Sequence, residues 1–277
     1  MPEQPVPYWD DVDATRIFPN IAIAAFDLDG TLARSKKPML EPMAQALSTL
    51  TTMLPVAIVS GGAMSLVRSQ IIDVLSEQAD RTRMHLMPTT GTRYYRWNGD
   101  DWQQIYEHNL KSEDRAAAME SLQRHAQALG IWPEHSYGPV LEDRGSQITF
   151  SALGQQAPVD LKEQWDPTNE LKNELARRVQ RDVPHLQVRS GGSTSVDVSD
   201  KGVDKAYAVH ALADALGVDV AHIMYVGDRM DPDGNDYPAA QAGTTAIRVR
   251  GPEDTLALCR SYIEWYQHHA CRPNGAQ

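Results

Sequence analysis

The chain has 277 residues, of which 42% are hydrophobic and 23% charged, and its formal net charge is −11 at pH 7. These values are those of an ordinary globular protein, and the length suits a core domain that carries a smaller inserted one. The negative charge argues against a nucleic-acid partner, because it would repel a phosphate backbone.

The ends and the apolar runs favour a cytoplasmic protein without membrane contact. The first residues lack the basic start and apolar stretch of a secretory signal. The longest apolar run, residues 21–26, is far shorter than the roughly 20 residues that cross a bilayer. Cys259 and Cys271 form neither a disulfide framework nor a zinc-type spacing, so we expect free thiols.

Strand and helix patterns alternate in the first 85 residues. Residues 21–26 are a buried-strand pattern that ends at Asp27, and residues 55–59 are a second one that ends at Ser60. Helical spacing of apolar residues follows each, at 42–54 and 65–75. This alternation predicts a parallel sheet with helices on its faces.

The pattern changes after about residue 84. Strand patterns at 92–97 and 102–108 flank an Asn-Gly turn, which predicts a hairpin. Further patterns suggest a separate α+β module: helices at 113–129 and 169–179, and strands at 138–142 and 147–153.

The parallel pattern returns towards the end of the chain. A second hairpin is predicted at 186–198, and it is followed by a helix at 203–216 and a buried strand at 223–226. We therefore predict an α/β fold, a Rossmann-like parallel-sheet core of residues 1–85 and 188–277 with an inserted α+β cap of residues 86–187.

Polar side chains follow three of the predicted strands. They are Asp27 with Asp29, Ser60, and Asp228. Because the carboxyl ends of parallel strands meet at one edge of a sheet, these residues should form one site.

The residue types at these strand ends suit phosphoryl transfer. Mg²⁺ prefers one or two carboxylates together with substrate phosphate, and Asp27 and Asp228 fit that role. Asp27 would also be the nucleophile and Asp29 the general acid and base. Ser60 and Lys205 would supply donors to the phosphoryl oxygens.

Each fragment taken alone has a simpler interpretation. Asp-x-Asp-Gly and Ser-Gly-Gly are common turns, and a lysine at a helix start is usually solvated. A calcium loop at 228–236 is excluded, because counting Gly234 as its sixth position places Arg229 first and Ala240 twelfth, where acids are needed. The ordered set of fragments favours the catalytic interpretation.

The ordered set resembles the four motifs of the haloacid dehalogenase superfamily. The motifs are carried by residues 26–32, 59–61, 204–205 and 227–236. The resemblance implies that Asp27 is the nucleophile, that Asp29 is the acid/base and a metal ligand through its backbone carbonyl, that Asp228 is a metal ligand, and that Asp236 is a supporting acid. It also implies Mg²⁺ as the cofactor.

Within that superfamily the chain is similar to the eukaryotic-type phosphomannomutases, in residues 191–198, 202–205, 227–236 and 252–255. The resemblance implies that Ser195 and Asp197 contact a sugar, that Arg144 binds a distal phosphate, and that Lys36 is the basic position after the first motif. Two further arginine positions of that family are occupied by Tyr137 and Gln155, and Arg93, Arg177 or Arg189 are the alternatives that could substitute for them.

The leading hypothesis from the sequence is a phosphatase that acts on a phosphorylated sugar or a similar small metabolite. A phosphomannomutase-like sugar phosphomutase is the first alternative, because it shares the same chemical motifs. A catalytically idle metabolite-binding protein is the second, and intact Asp27, Asp29, Lys205 and Asp228 argue against it.

Overall fold

A computed structural model describes residues 5–232 and 234–270, so Cys271 lies outside the described residues. The chain forms two compact units. The first joins the chain up to Tyr106 with the chain from Asp204 onward, and the second is Glu107–Val203. In the described residues, no helix is long and apolar enough to span a bilayer.

The strands, numbered in chain order, are β1 Ile23–Phe26, β2 Val56–Val59, β3 Met84–Met87, β4 Arg93–Trp97, β5 Trp102–Glu107, β6 Leu141–Asp143, β7 Gln147–Ser151, β8 Leu186–Ser190, β9 Ser195–Asp200, β10 Ile223–Gly227 and β11 Thr245–Arg248. The α-helices are α1 Ala14–Ile17, α2 Glu41–Thr51, α3 Met64–Gln70, α4 Ser112–Ala128, α5 Val159–Trp165, α6 Glu170–Asp182, α7 Lys205–Leu216, α8 Tyr237–Gln241 and α9 Pro252–Ala270.

The first unit is built on a seven-stranded sheet in the order β11-β10-β1-β2-β3-β4-β5. The five strands from β11 to β3 are parallel, and β4 pairs with β3 in the antiparallel direction. Every residue of β1 and β2 is buried, as expected for strands that are covered on both faces. Apolar clusters pack on the two faces, one around Phe26 and Ile58 and the other around Ala25 and Tyr225.

The second unit contains a four-stranded antiparallel sheet in the order β6-β7-β9-β8. Alternate residues of its strands, such as Ile148, Phe150 and Val196, are buried in an apolar cluster with side chains of α4 and α6. The opposite face carries polar residues, because successive side chains of a strand point to opposite sides.

The unit boundaries differ from the predicted core and cap at both junctions. The hairpin β4–β5, which falls in the predicted cap of 86–187, joins the core sheet through β3. The hairpin β8–β9, of which most lies in the predicted core, joins the second unit through β7. A hairpin pattern indicates that its two strands pair with each other, but it does not indicate which sheet they extend. The sequence pattern therefore shows roughly where one unit gives way to the other, but not the unit to which each hairpin belongs.

Candidate active site

Asp27 and Asp228 directly follow the neighbouring parallel strands β1 and β10. The backbone N–H of Asp27 donates to the carbonyl of Val226 at 2.9 Å, which continues the ladder between these strands. Carboxylate oxygens of Asp27, Asp228 and Asp236 lie within 4.8 Å of one another. We call these three residues the carboxylate cluster.

Lys205 is the first residue of α7 and is held at the cluster by the start of that helix. The Asp204 side chain caps the helix by accepting from the N–H groups of Ala206 and Tyr207, at 2.9 and 3.2 Å. The Lys205 Nζ donates to Asp27 Oδ1 and, at 2.6 Å, to Asp236 Oδ1. Its side chain is only 2% exposed, so these ion pairs are shielded from water.

The carboxylate cluster has three acidic side chains and lies against the single ammonium group of Lys205. Burial raises the pKa of Asp27 to about 8, with Lys205 acting in the opposite direction. Burial and then Asp236 raise the pKa of Asp228. Burial alone would lower the pKa of Lys205, but Asp236 and Asp27 outweigh it and raise that pKa. A further cation would therefore be favourable at this position.

The donor set of the cluster fits a hard divalent cation. Carboxylate oxygens are the ligands that Mg²⁺ prefers, and it is normally held by one or two of them together with substrate oxygens and water. Two glycines let the carboxylates approach the backbone. A Cβ on Gly30, whose φ is +85°, would lie 2.7 Å from Asp228 Oδ2, and one on Gly227 would lie 2.5 Å from Asp236.

Asp236 is fixed by two contacts that the sequence analysis missed. The Tyr225 hydroxyl donates to Asp236 Oδ1 at 2.9 Å, and the backbone N–H of Arg229 donates to Asp236 Oδ2 at 3.0 Å. Burial, followed by the charges of Asp236 and Asp27, raises the pKa of Tyr225. A tyrosine inside an otherwise apolar strand is a signal for such a partner, because a buried hydroxyl needs one.

Asp29 is not a member of the carboxylate cluster. Its Oδ1 accepts from the backbone N–H of Lys36 at 2.8 Å and from Gln70 Nε2 at 3.0 Å. These two donors orient the Asp29 side chain, and Gln70 is itself buried and donates to the Lys37 carbonyl. The roles of Asp29 in proton transfer and of Lys36 in substrate binding stay predictions.

Ser60 follows β2 and is buried at the end of that strand. Its Oγ accepts from the N–H of Gly62 at 3.0 Å, and its carbonyl accepts from the N–H of Thr90 at 2.8 Å. The hydroxyl can still donate its own hydrogen. Its predicted contact with a phosphoryl oxygen stays a prediction.

The remaining predicted site residues, Arg144, Ser195 and Asp197, belong to the second unit. Arg144 donates to Glu142 Oε2 from Nε at 2.9 Å and from an η nitrogen at 2.6 Å. Ser195 and Asp197 lie on the polar face of β9, where Asp197 Oδ1 accepts from Thr149 Oγ1 at 2.7 Å. Their contacts with a sugar or a phosphate stay predictions.

The second unit also buries two lysines that the sequence analysis did not single out. Lys162 Nζ donates to the carbonyl of Gln155 at 2.8 Å. Lys172 Nζ donates at 2.8 Å to the carbonyl of Gly192, which also accepts from the backbone N–H of Ser195 at 3.3 Å. Buried ammonium groups are rare unless they are paired or functional.

Solved structures with the same fold include two kinds of phosphatase. A C-terminally truncated IMP-nucleotidase of Plasmodium falciparum gives a TM-score of 0.70 at 16% identity over 90% of this chain and 72% of that one. The trehalose-6-phosphate phosphatase of Aspergillus fumigatus gives 0.55 at 15% identity over 94% of this chain and 99% of that one. The chain therefore has the haloacid dehalogenase fold, with the carboxylate cluster at the carboxyl edge of its parallel sheet.

The sequence places the chain in one family of the haloacid dehalogenase superfamily of phosphoryl-transfer enzymes. The family model for eukaryotic phosphomannomutase matches residues 43–265, and the chain belongs to that family. The phosphomannomutase of Spinacia oleracea is 25% identical over 86% of this chain and 94% of its own length. That of Arabidopsis thaliana is 25% identical over 86% and 95%.

Proposed function

We propose that this enzyme is a sugar phosphomutase, which moves a phosphoryl group between two hydroxyls of one sugar by way of phosphorylated Asp27. The contact of Lys205 with both Asp27 and Asp236 is the observation that carries the phosphoryl-transfer chemistry. Membership of the eukaryotic phosphomannomutase family supports the mutase outcome over the hydrolysis that the sequence analysis ranked first.

In the first half-reaction an oxygen of Asp27 attacks the phosphorus of a sugar bisphosphate. The bond from phosphorus to the sugar oxygen breaks, and Asp29 gives that oxygen its proton. Asp27, Asp228 and the backbone carbonyl of Asp29 would hold Mg²⁺, whose positive charge would be available to the phosphoryl oxygens. Lys205 and Ser60 would donate hydrogen bonds to the same group.

In the second half-reaction a hydroxyl of the sugar monophosphate attacks the phosphorus on Asp27. Asp29 accepts the hydroxyl proton, and the bond between phosphorus and the Asp27 oxygen breaks, which restores the carboxylate. If water attacks instead, the net reaction is hydrolysis. The choice depends on how firmly the enzyme holds the distal phosphate of the sugar.

Cations in the second unit support the mutase outcome. The family resemblance implied Arg144 as a cation for a distal phosphate, with Tyr137 and Gln155 in place of two arginines. Lys162 and Lys172 add buried ammonium groups, and Lys172 lies beside Ser195 through their shared acceptor at Gly192. Their positive charge would attract a distal phosphate bound in this unit.

A sugar phosphatase is the second candidate. Arg144 already donates twice to Glu142, so its guanidinium would have to share its charge between that carboxylate and a phosphate. Tyr137 and Gln155 offer only neutral hydrogen bonds, which are weaker than charge-assisted ones by about a factor of two. Weak retention of the distal phosphate would favour attack by water.

The deciding assay incubates the enzyme with mannose 1-phosphate or glucose 1-phosphate, Mg²⁺ and a trace of the sugar bisphosphate. We expect the 6-phosphate to form faster than free phosphate in the wild type. Lys172→Met should shift the products towards free phosphate, and Lys111→Met, which alters an exposed lysine of the same unit, should not. Faster release of phosphate by the wild type would replace the mutase with the phosphatase.

A further inference from the structure

The N-terminal segment, residues 5–13, extends the sheet of the first unit beyond β11. The backbone N–H of Arg248 donates to the carbonyl of Pro7 at 2.8 Å, and Tyr8 forms a parallel bridge with Arg248. Covering a strand in this way satisfies part of an otherwise open sheet edge. The segment therefore reaches the carboxyl end of β11, the end of the sheet that also carries Asp27 and Asp228.

Two arginines hold the Tyr8 ring. The guanidinium carbon of Arg248 lies 5.1 Å from the ring centroid, and that of Arg250 lies 4.2 Å from it. Arg250 also pairs with Asp10 at 3.2 Å and with Asp254 at 3.0 Å. Cation–π contacts and ion pairs of this kind fasten the segment at several points.

Arg248 also faces the loop that carries two members of the carboxylate cluster. We call residues 228–232 and 234–236 the acid loop. The Nη2 atom of Arg248 lies 3.9 Å from Asp231 Oδ2, and Arg229 Nε donates to the same oxygen at 3.2 Å. Asp231 accepts through its backbone carbonyl from the N–H of Gly234 at 2.7 Å. Asp231 thus ties the two halves of the loop together.

The backbone of Arg229 contacts Asp236, a member of the carboxylate cluster. Its backbone N–H donates to Asp236 Oδ2, and its carbonyl accepts from the N–H of Asp236 at 3.1 Å. A shift of Arg229 would therefore move Asp236, which is the partner of Lys205. The contacts run from Tyr8 through Arg248 and Asp231 to Arg229 and end at the cluster.

We propose that Tyr8 and Arg248 are positioning residues for the acid loop, which they hold in the conformation that presents Asp236 and Asp228. The proposal goes beyond the proposed function, because it concerns the loop and applies whether a sugar or water attacks Asp27. The ion pairs involved are partly exposed, and such pairs add little to global stability. Their effect should instead be local, on the opening of the loop.

Hydrogen exchange in the metal-free protein tests this directly. The amides of Arg229, Gly234 and Asp236 report on the acid loop, and the amide of Asp27, bonded to Val226, reports on the sheet. We expect Tyr8→Ala and Arg248→Gln to speed exchange of the loop amides by about threefold to tenfold and to leave the Asp27 amide unchanged. Tyr8→Phe, which keeps the ring, should behave like the wild type.

Arg260→Gln is the matched control, since it removes an exposed arginine from α9. Calorimetric titration with Mg²⁺ adds a second readout, in which Tyr8→Ala and Arg248→Gln should weaken binding by a similar factor and Arg260→Gln should not. Unchanged exchange rates of the acid-loop amides would overturn the proposal. An equal acceleration of the Asp27 amide would overturn it too, because Tyr8 and Arg248 would then stabilise the whole fold and not the loop. Unchanged Mg²⁺ affinity would also overturn it.

Discussion

Lys205 contacts two members of the carboxylate cluster and offsets part of its charge. Among the described residues, the ion pairs of Lys205 with Asp27 and Asp236 are the salt bridges made by these two carboxylates. Removing one partner of a buried pair leaves the other charge uncompensated, which costs about 3–5 kcal/mol. The lysine should therefore matter to the fold as well as to phosphoryl transfer.

We predict that Lys205→Met lowers the free energy of unfolding by about 3 kcal/mol in the absence of metal. Denaturant unfolding of the variant beside Lys37→Met, which alters an exposed lysine of the same unit, measures the difference. If the Lys205→Met protein is as stable as the Lys37→Met control, then groups other than Lys205 offset the charge of Asp27 and Asp236.

Asp27, Asp228 and Lys205 could be predicted because each directly follows a recognisable strand or starts a helix, whereas Asp236 came only from the family resemblance. Asp27 and Asp228 stand at the ends of apolar runs, and Lys205 follows the capping residue Asp204. The contact of Gln70 with Asp29 joins residues 41 positions apart. Nothing in the local pattern of α3 indicates it, because the contact depends on tertiary packing.

At the scale of elements, α4 and α6 of the second unit are joined through Asp182. Its Oδ2 accepts from Arg124 at 2.6 Å and lies 2.7 Å from His125 Nε2. A hydrogen bond from Ser121, followed by those from His125 and Arg124, lowers the pKa of Asp182 to about 2. The charged form of Asp182 is therefore favoured in the folded state.

Because the pKa of Asp182 is lower in the folded protein than in the unfolded one, its ionised form stabilises the fold at pH values above the ordinary pKa of an aspartate. That contribution is lost as the pH falls through about 2. We predict that Asp182→Asn reduces the free energy of unfolding by about 1 kcal/mol near neutral pH, a small value because the carboxylate is partly exposed. Urea unfolding at several pH values should show the difference shrinking below about pH 4. Glu120→Gln, an exposed acid of α4, serves as the control, and a constant difference would contradict the prediction.

Elements with strong local patterns were predicted well, and those with weak patterns were not. The strands β1, β2 and β10 are short apolar runs that end in polar loops, and the structure has them within two residues of the predicted bounds. The strand β11 and the helix α9 were missed. The residues of β11 are only partly buried apart from Ile247, so they lack the apolar run of a central strand.

For the whole molecule, metal binding should raise the free energy of unfolding. A ligand that binds only the folded state adds about 2.7 kcal/mol at a concentration 100 times its Kd. We predict that saturating Mg²⁺ raises the melting temperature by about 5–10 °C. Asp228→Asn should lose most of this increase, and Asp73→Asn, an exposed acid of the same unit, should keep it. An equal increase in both variants would place the metal elsewhere.

The chemical site lies within the first unit, whereas the predicted sugar-binding residues lie in the second. We predict that Arg144→Ala raises KM for a sugar phosphate more than for p-nitrophenyl phosphate, because a distal contact serves only the larger substrate. Steady-state kinetics with both esters measure this, and Arg181→Ala, which alters an exposed arginine of the same unit, is the control. If KM rises equally for the two esters, Arg144 does not determine substrate specificity.

In the proposed chemistry Asp27 carries the phosphoryl group between the two half-reactions. The most direct measurement mixes the enzyme with a sugar bisphosphate and Mg²⁺, quenches it in acid, and locates the added phosphoryl group by peptide mass spectrometry. We expect the group on the peptide that contains Asp27, and we expect Asp27→Asn to show neither this adduct nor turnover. A phosphoryl group on another residue, or near-normal turnover by a folded Asp27→Asn protein, would contradict it.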